Sequence, residues 1–107
     1  MNTVTVRDNP ELNRYEILED DRPVGFSDYK LDGDVISFVH TEIDAAFGGR
    51  GLGRQLVDFE LNDARARGLT VHPLCPYVRK VIADNPEAYL SLVPESQRSR
   101  FDLPSAD

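Results

Sequence analysis

Residues 47–57 read Phe-Gly-Gly-Arg-Gly-Leu-Gly-Arg-Gln-Leu-Val, a glycine-rich turn that runs from an apparent strand straight into an amphipathic helix. Nothing else in the chain restricts the fold as much. Gly48, Gly49, Gly51 and Gly53 carry no Cβ, so the backbone can take positive φ and come close to a ligand, with the unpaired N–H groups of a helix N-terminus facing outward. Such a turn suits an anion. The helix dipole favours negative charge at that end, and Arg50 and Arg54 add cationic donors beside it.

Two common glycine signatures do not fit. A P-loop requires Lys-Ser/Thr after its last glycine, whereas Gly53 is followed by Arg54-Gln55. A dinucleotide fingerprint starting at Gly49-x-Gly51 requires a third glycine at position 54, which is arginine.

At 107 residues the chain is expected to form one domain over residues 1–95, with a polar, mobile tail over 96–107. No apolar run approaches the ~20 residues of a membrane span, and Met1-Asn2-Thr3 leads into no secretory segment, so cytoplasmic residence is the default. The single cysteine excludes an internal disulfide, and with only His40 and His72 beside it a metal site is not expected. A net charge of −7 argues against nucleic acid. Its distribution is uneven: residues 1–49 hold 4 basic and 11 acidic side chains, residues 50–80 hold 6 basic and 3 acidic. That asymmetry suits an anionic cosubstrate on the second half and a cationic acceptor near the first, or is plain solvation of the acidic half.

Alternation in the first 43 residues predicts four strands. They centre on Val4 and Val6, on Tyr15 and Ile17, on Val24 and Phe26, and on Val35 to Ile43, with turns at Glu19-Asp20-Asp21-Arg22 and Asp32-Gly33. In the fourth strand, plain alternation puts Ile36, Phe38, His40 and Glu42 on one face. A helix from Gly51 to about Arg67 comes next, with Leu52, Leu56 and Phe59 on its apolar side. Gly68 closes it before a strand over Leu69 to Leu74, which a helical crossover makes parallel to the fourth. Cys75-Pro76 and Asn85-Pro86 each start a further helix.

The glycine turn resembles the pyrophosphate loop of GNAT acetyltransferases, Gln/Arg-x-x-Gly-x-Gly/Ala. Gly51-x-Gly53 matches it, and Gly48 departs from its first position. With His40-Thr41-Glu42, Asp63-Ala64-Arg65-Ala66-Arg67-Gly68-Leu69, Pro73-Leu74-Cys75-Pro76-Tyr77-Val78 and Asn85-Pro86-Glu87, the chain looks like the small YjdJ-type branch of that superfamily over most of residues 14–93. The resemblance implies an α/β (α+β) fold of the acyl-CoA N-acyltransferase kind: a twisted mixed sheet with N-terminal antiparallel strands and a parallel β-α-β crossover, splayed beside its central strand to hold acetyl-coenzyme A. It implies an acetyl-CoA-dependent N-acetyltransferase without a metal, as a monomer or weak homodimer. Larger members cover the acceptor with inserted elements that are missing here, so an open acceptor side, suited to a protein or peptide amine, is expected.

The resemblance also proposes residues. Ile43, Gly48, Gly49, Arg50, Gly51, Leu52, Gly53, Arg54, Cys75, Arg79 and Lys80 are candidates for holding coenzyme A. His40 is either the base, because an imidazole titrates near neutral pH, or a hydrogen-bonded histidine packed beside Phe38, and Glu42 either orients the ring or replaces it as base. Tyr77 is either a proton donor to the leaving thiolate or a core anchor. Cys75, at a helix N-terminus that favours thiolate, is either an acyl-accepting nucleophile or a small apolar wall of the pantetheine channel. Two rival readings keep the loop: a non-catalytic acyl-CoA-binding module or sensor, and a nucleotide-binding interaction domain.

Overall fold

Four antiparallel strands form over the alternating N-terminal segment: β1 (Val4–Asn9), β2 (Arg14–Glu19), β3 (Arg22–Asp32) and β4 (Val35–Ile43). The computed structural model describes residues 3–104. Helix α1 (Leu52–Ala66) carries the chain to β5 (Thr70–Pro73), which lies parallel to β4, so the sheet order is β1-β2-β3-β4-β5. This is the expected mixed sheet with a parallel β-α-β unit. The β2–β3 turn places Asp20 and Asp21 at φ 52° and 68°, a left-handed pair that aspartate tolerates and a two-residue hairpin demands. The β3–β4 hairpin turns one residue later than Asp32-Gly33, because Asp32 pairs with Val35 and leaves Gly33-Asp34 at the tip.

Helix α1 lies along the sheet and buries Leu52, Leu56, Val57, Glu60, Leu61 and Ala64. Against it pack Tyr15, Ile17, Tyr29, Ile36, Phe38 and Val71, each contributing on the order of 1.5–3 kcal/mol of burial. Phe59, expected among the core residues, sits at the margin with its ring edge-on to Tyr15 at 6.1 Å. The buried row is the four-residue spacing Leu52, Leu56, Glu60, Ala64, which admits a carboxyl group in place of Phe59. The helix stops where Gly68 takes φ 69°; its N–H bonds to Arg65 O and that of Leu69 to Ala64 O, the paired bonds of a Schellman motif.

Helix α2 (Pro76–Asp84) begins on Pro76 with Cys75 as its cap, and α3 (Pro86–Tyr89) runs into a 3₁₀ turn at Leu90–Leu92. Residues 96–104, expected to be a mobile tail, are instead folded onto the domain. Helix α4 (Glu95–Arg98) and a 3₁₀ turn at Ser99–Phe101 bury Arg98, Phe101 and Leu103. Phe101 is 1% exposed, lies 5.8 Å from the His72 ring, and is overlain by the guanidinium groups of Arg79 and Arg100. One aromatic side chain anchors a segment whose local polarity suggests a solvated tail. Positions 105–107 of the expected tail lie outside the described residues.

Regular alternation fails in β4. Asp28 pairs with His40 but Tyr29 with Phe38, so Val39 is an extra residue, a β-bulge that exchanges the two faces of the strand beyond it. Ile36 and Phe38 face α1 and the core, as Thr41 and Ile43 do after the bulge. His40 and Glu42 are therefore on the outer face and do not share a side with Phe38, contrary to the alternation read from sequence.

Candidate active site

The ladder between β4 and β5 ends at the bulge. Val35 to Phe38 pair with Thr70 to Pro73, and the last link is the Cys75 N–H donating to Phe38 O at 2.8 Å. Past this point β4 leaves its neighbour, and the gap opens into a cavity of about 420 Å³. Thr41 and Ile43 from β4 form one wall, and Phe47, Gly48 and Gly49 form a second. Gly51, Leu52 and Gly53 at the head of α1 form the third, and Tyr77 from α2 closes it.

The approach to that cavity is set by Asp44, whose carboxylate caps a 3₁₀ turn at Ala45–Phe47 by accepting from the Ala46 N–H at 3.1 Å. Gly51 then caps α1 at φ 76° with no side-chain hydrogen bond, and the first bond of the helix proper is Gln55 N–H to Gly51 O. The N–H groups of Gly51, Leu52, Gly53 and Arg54 thus have no partner within the helix. No acidic side chain lies in that first turn. A cradle of free donors at the positive end of a 15-residue helix is chemically matched to phosphate oxygens.

Gly53 packs closely on α2: a Cβ there would stand 3.1 Å from the Tyr77 hydroxyl. Tyr77 is 40% exposed and lies over the cradle. The charged candidates are placed differently from one another. Arg50 beside the loop pairs with Glu19 at the end of β2, and Arg54 holds Asp58 through Nε at 3.0 Å. Arg79 donates to Pro73 O and Leu74 O and covers Phe101, and Lys80 pairs with Asp84 at 3.0 Å. None of these four, Arg50, Arg54, Arg79 and Lys80, lines the cavity.

Cys75 is 3% exposed, behind the cavity wall, with Sγ 3.4 Å from Thr41 Oγ1. His40 and Glu42 lie on the outer face, exposed, with His40 Nε2 3.2 Å from Glu42 Oε1. The Phe26 ring is 6.0 Å from that of His40, and the Arg14 guanidinium lies over the Phe26 ring at 4.9 Å. Glu42 also borders a second hollow, about 610 Å³, with Arg14, Pro23, Phe26 and Asp44. On the same face Glu16 is 2% exposed between Arg7 and Arg14; burial pushes its carboxyl up, but hydrogen bonds from the two arginines outweigh burial and hold it below the usual range.

Sequence reasoning did not single out Thr41, Phe47, Ser27 or Glu60. Thr41 is brought to the cavity by the bulge, which no pattern in residues 35–43 announces. Glu60 is fully buried, and neither of its carboxyl oxygens makes a hydrogen bond of normal geometry. Burial pushes this carboxyl well above its ordinary range, opposed by the Ser27 hydroxyl and reinforced by Cys75. The four-residue row it shares with Leu52 and Leu56 was the available signal.

Residues 14–92 match the model of a family described as GCN5-related N-acetyl-transferase. No sequence among the curated proteins matches the chain. Among solved structures the fold is similar to the ribosomal-protein-S18-alanine N-acetyltransferase from Escherichia coli, with a TM-score of 0.54 and 13% identity. That likeness covers 66% of this chain and 64% of the other, so the chain spans somewhat under two thirds of its length.

Proposed function

The chain belongs to the GCN5-related N-acetyl-transferase family, and from that premise we propose that it transfers acetyl from acetyl-coenzyme A to a primary amine of a protein or peptide, within the small YjdJ-type branch. The supporting observation is a coincidence at one end of the sheet: the uncapped donors of α1 adjoin the place where β4 parts from β5.

The residues present fit the cosubstrate. The N–H groups of Gly49 to Gly53 would hold the pyrophosphate, with Arg50 and Arg54 beside them, while Ile43, Phe47 and Leu52 give an apolar wall for the pantetheine arm. Acetyl-coenzyme A supplies the activated thioester carbonyl when bound. His40, paired with Glu42, takes the proton of the incoming ammonium on the outer face, where Glu42 borders the second hollow. Tyr77 closes the cavity, with its hydroxyl at the head of α1 where it can hydrogen-bond the bound cosubstrate. The burial of Cys75 behind the cavity wall supports direct transfer to the amine, with no acyl-cysteine.

Incubation with acetyl-coenzyme A and a panel of amines and peptides, read by mass spectrometry, tests the proposal. Acetylated product is expected. Coenzyme A binding without any product would leave the acyl-CoA-binding module as the function.

A further inference from the structure

From the head of α2 to the middle of α1 runs a line of buried polar side chains that acetyl transfer through His40 and Tyr77 does not use. Thr41 Oγ1 borders the cavity and lies 3.4 Å from both Cys75 Sγ and Ser27 Oγ. Ser27 is 0% exposed on β3, and beside it stands Glu60, also 0% exposed, whose carboxyl oxygens make no hydrogen bond of normal geometry but feel the Ser27 hydroxyl. A buried carboxyl with no well-formed hydrogen bond is costly, and leucine at 60 would continue the row of Leu52 and Leu56. We infer that Glu60 is the proton reservoir of the cavity, delivering a proton at Thr41 Oγ1 by way of Ser27 Oγ.

This rests on the acetyl-transfer reading. Cleavage of a thioester releases a thiolate, which needs one proton. The Thr41 hydroxyl gives its proton to the sulfur, Ser27 replaces it on Thr41, and Glu60 replaces it on Ser27. Glu60 is left as a carboxylate, and one proton released from the ammonium on the other side of the reaction restores it. The amine loses what the thiolate gains, so the cycle balances. Burial pushes the Glu60 carboxyl well above its ordinary range and so favours its acid form. The titratable group acting on it from α2 is Cys75; β3 and β4 present the hydroxyls of Ser27 and Thr41, and Tyr15 from β2 is engaged with Asp63 nearer the end of α1. Glu60 touches no reacting atom and is a positioning residue for that proton.

Two measurements test the inference. In the protein without ligand, carbon-13 NMR of labelled glutamate tracks the Glu60 titration; Ser27→Ala should move its midpoint to higher pH, and an unmoved midpoint overturns the link. In turnover with acetyl-coenzyme A and any acceptor amine found active, Glu60→Gln and Thr41→Val should each lower kcat by ~10²-fold with KM for acetyl-coenzyme A unchanged. The wild-type decline of kcat at high pH should vanish in Glu60→Gln. The double variant should lose no more than either single one, because both interrupt one path. Additive losses, or wild-type kcat in Thr41→Val, overturn the relay. Absence of coenzyme A binding in the wild type would instead sink the acetyl-transfer reading, and the NMR result would still decide whether Ser27 is coupled to Glu60.

Discussion

The Tyr77 hydroxyl stands 3.1 Å from the point a Cβ on Gly53 would occupy, so the head of α1 and the head of α2 meet through a missing side chain. Gly53→Ala should displace the tyrosine tip. Because Tyr77 is 40% exposed the ring can yield, and alanine gains up to ~1 kcal/mol of helix propensity over glycine. Thermal stability should hold or rise while calorimetry shows weaker coenzyme A binding. Unchanged affinity would remove Tyr77 from the site.

Gly51 fails differently when substituted. Nothing lies within 4 Å of a Cβ there, but φ is 76°, a conformation that costs other residues ~1–2 kcal/mol. Gly51→Ala should therefore lose about that much stability with modest change in affinity. Gly51→Glu adds a carboxylate at the proposed phosphate cradle, and coenzyme A should bind at least tenfold more weakly, about 1.4 kcal/mol. Equal affinities in wild type and Gly51→Glu would place the cosubstrate elsewhere.

Most of the frame was legible because the period of hydrophobicity changes where the fold changes, from two in residues 4–43 to 3.6 after Gly51. The glycine turn, the stop at Gly68 and the start at Pro76 are local chemistry and came through. What stayed hidden depends on partners distant in sequence. Val39 is extra only relative to β3, so the side on which His40 and Thr41 stand could not be read from β4 alone. Arg50 and Arg54 read as free cations until Glu19 and Asp58 are placed beside them. Phe101 reads as part of a tail until β5 supplies His72 beneath it.

The stability of the protein should pass through a maximum in pH set from both sides by glutamates. Glu16 has a depressed carboxyl, so the stability it contributes is present above the unfolded glutamate range and is lost as pH falls through its folded value. Glu60 is raised: its contribution is complete below the unfolded range, and is lost as pH rises toward and through its folded value. Denaturant titrations across pH should show Glu16→Gln losing the acid limb and Glu60→Gln flattening the decline above it. A Glu60→Gln profile parallel to wild type would contradict a neutral buried acid.

Removing the aromatic ring in Phe101→Ala should cost ~3–5 kcal/mol, the range for a fully buried phenylalanine. Chemical denaturation with an unchanged m-value checks it. A loss under ~1 kcal/mol would mean that residues 95–103 add little to the core.

His40 and the cavity proposed for the cosubstrate lie on opposite faces of β4 because of the bulge at Val39, which makes the proposed base separable from binding. His40→Ala should lower kcat by ~10²–10⁴-fold, the usual loss of a general base, with coenzyme A affinity unchanged since no imidazole atom borders the cradle. Glu42→Gln should give a smaller loss, because it removes the 3.2 Å partner of the ring but leaves the ring itself. A cationic acceptor drawn by the acidic residues 1–49 should show a KM that rises with salt while kcat stays level, because screening acts on approach and not on proton transfer. Steady-state kinetics on the three proteins at low and high ionic strength separate these effects. Wild-type turnover in His40→Ala would end its role as base, and an acceptor KM indifferent to salt would reduce the acidic half to surface solvation.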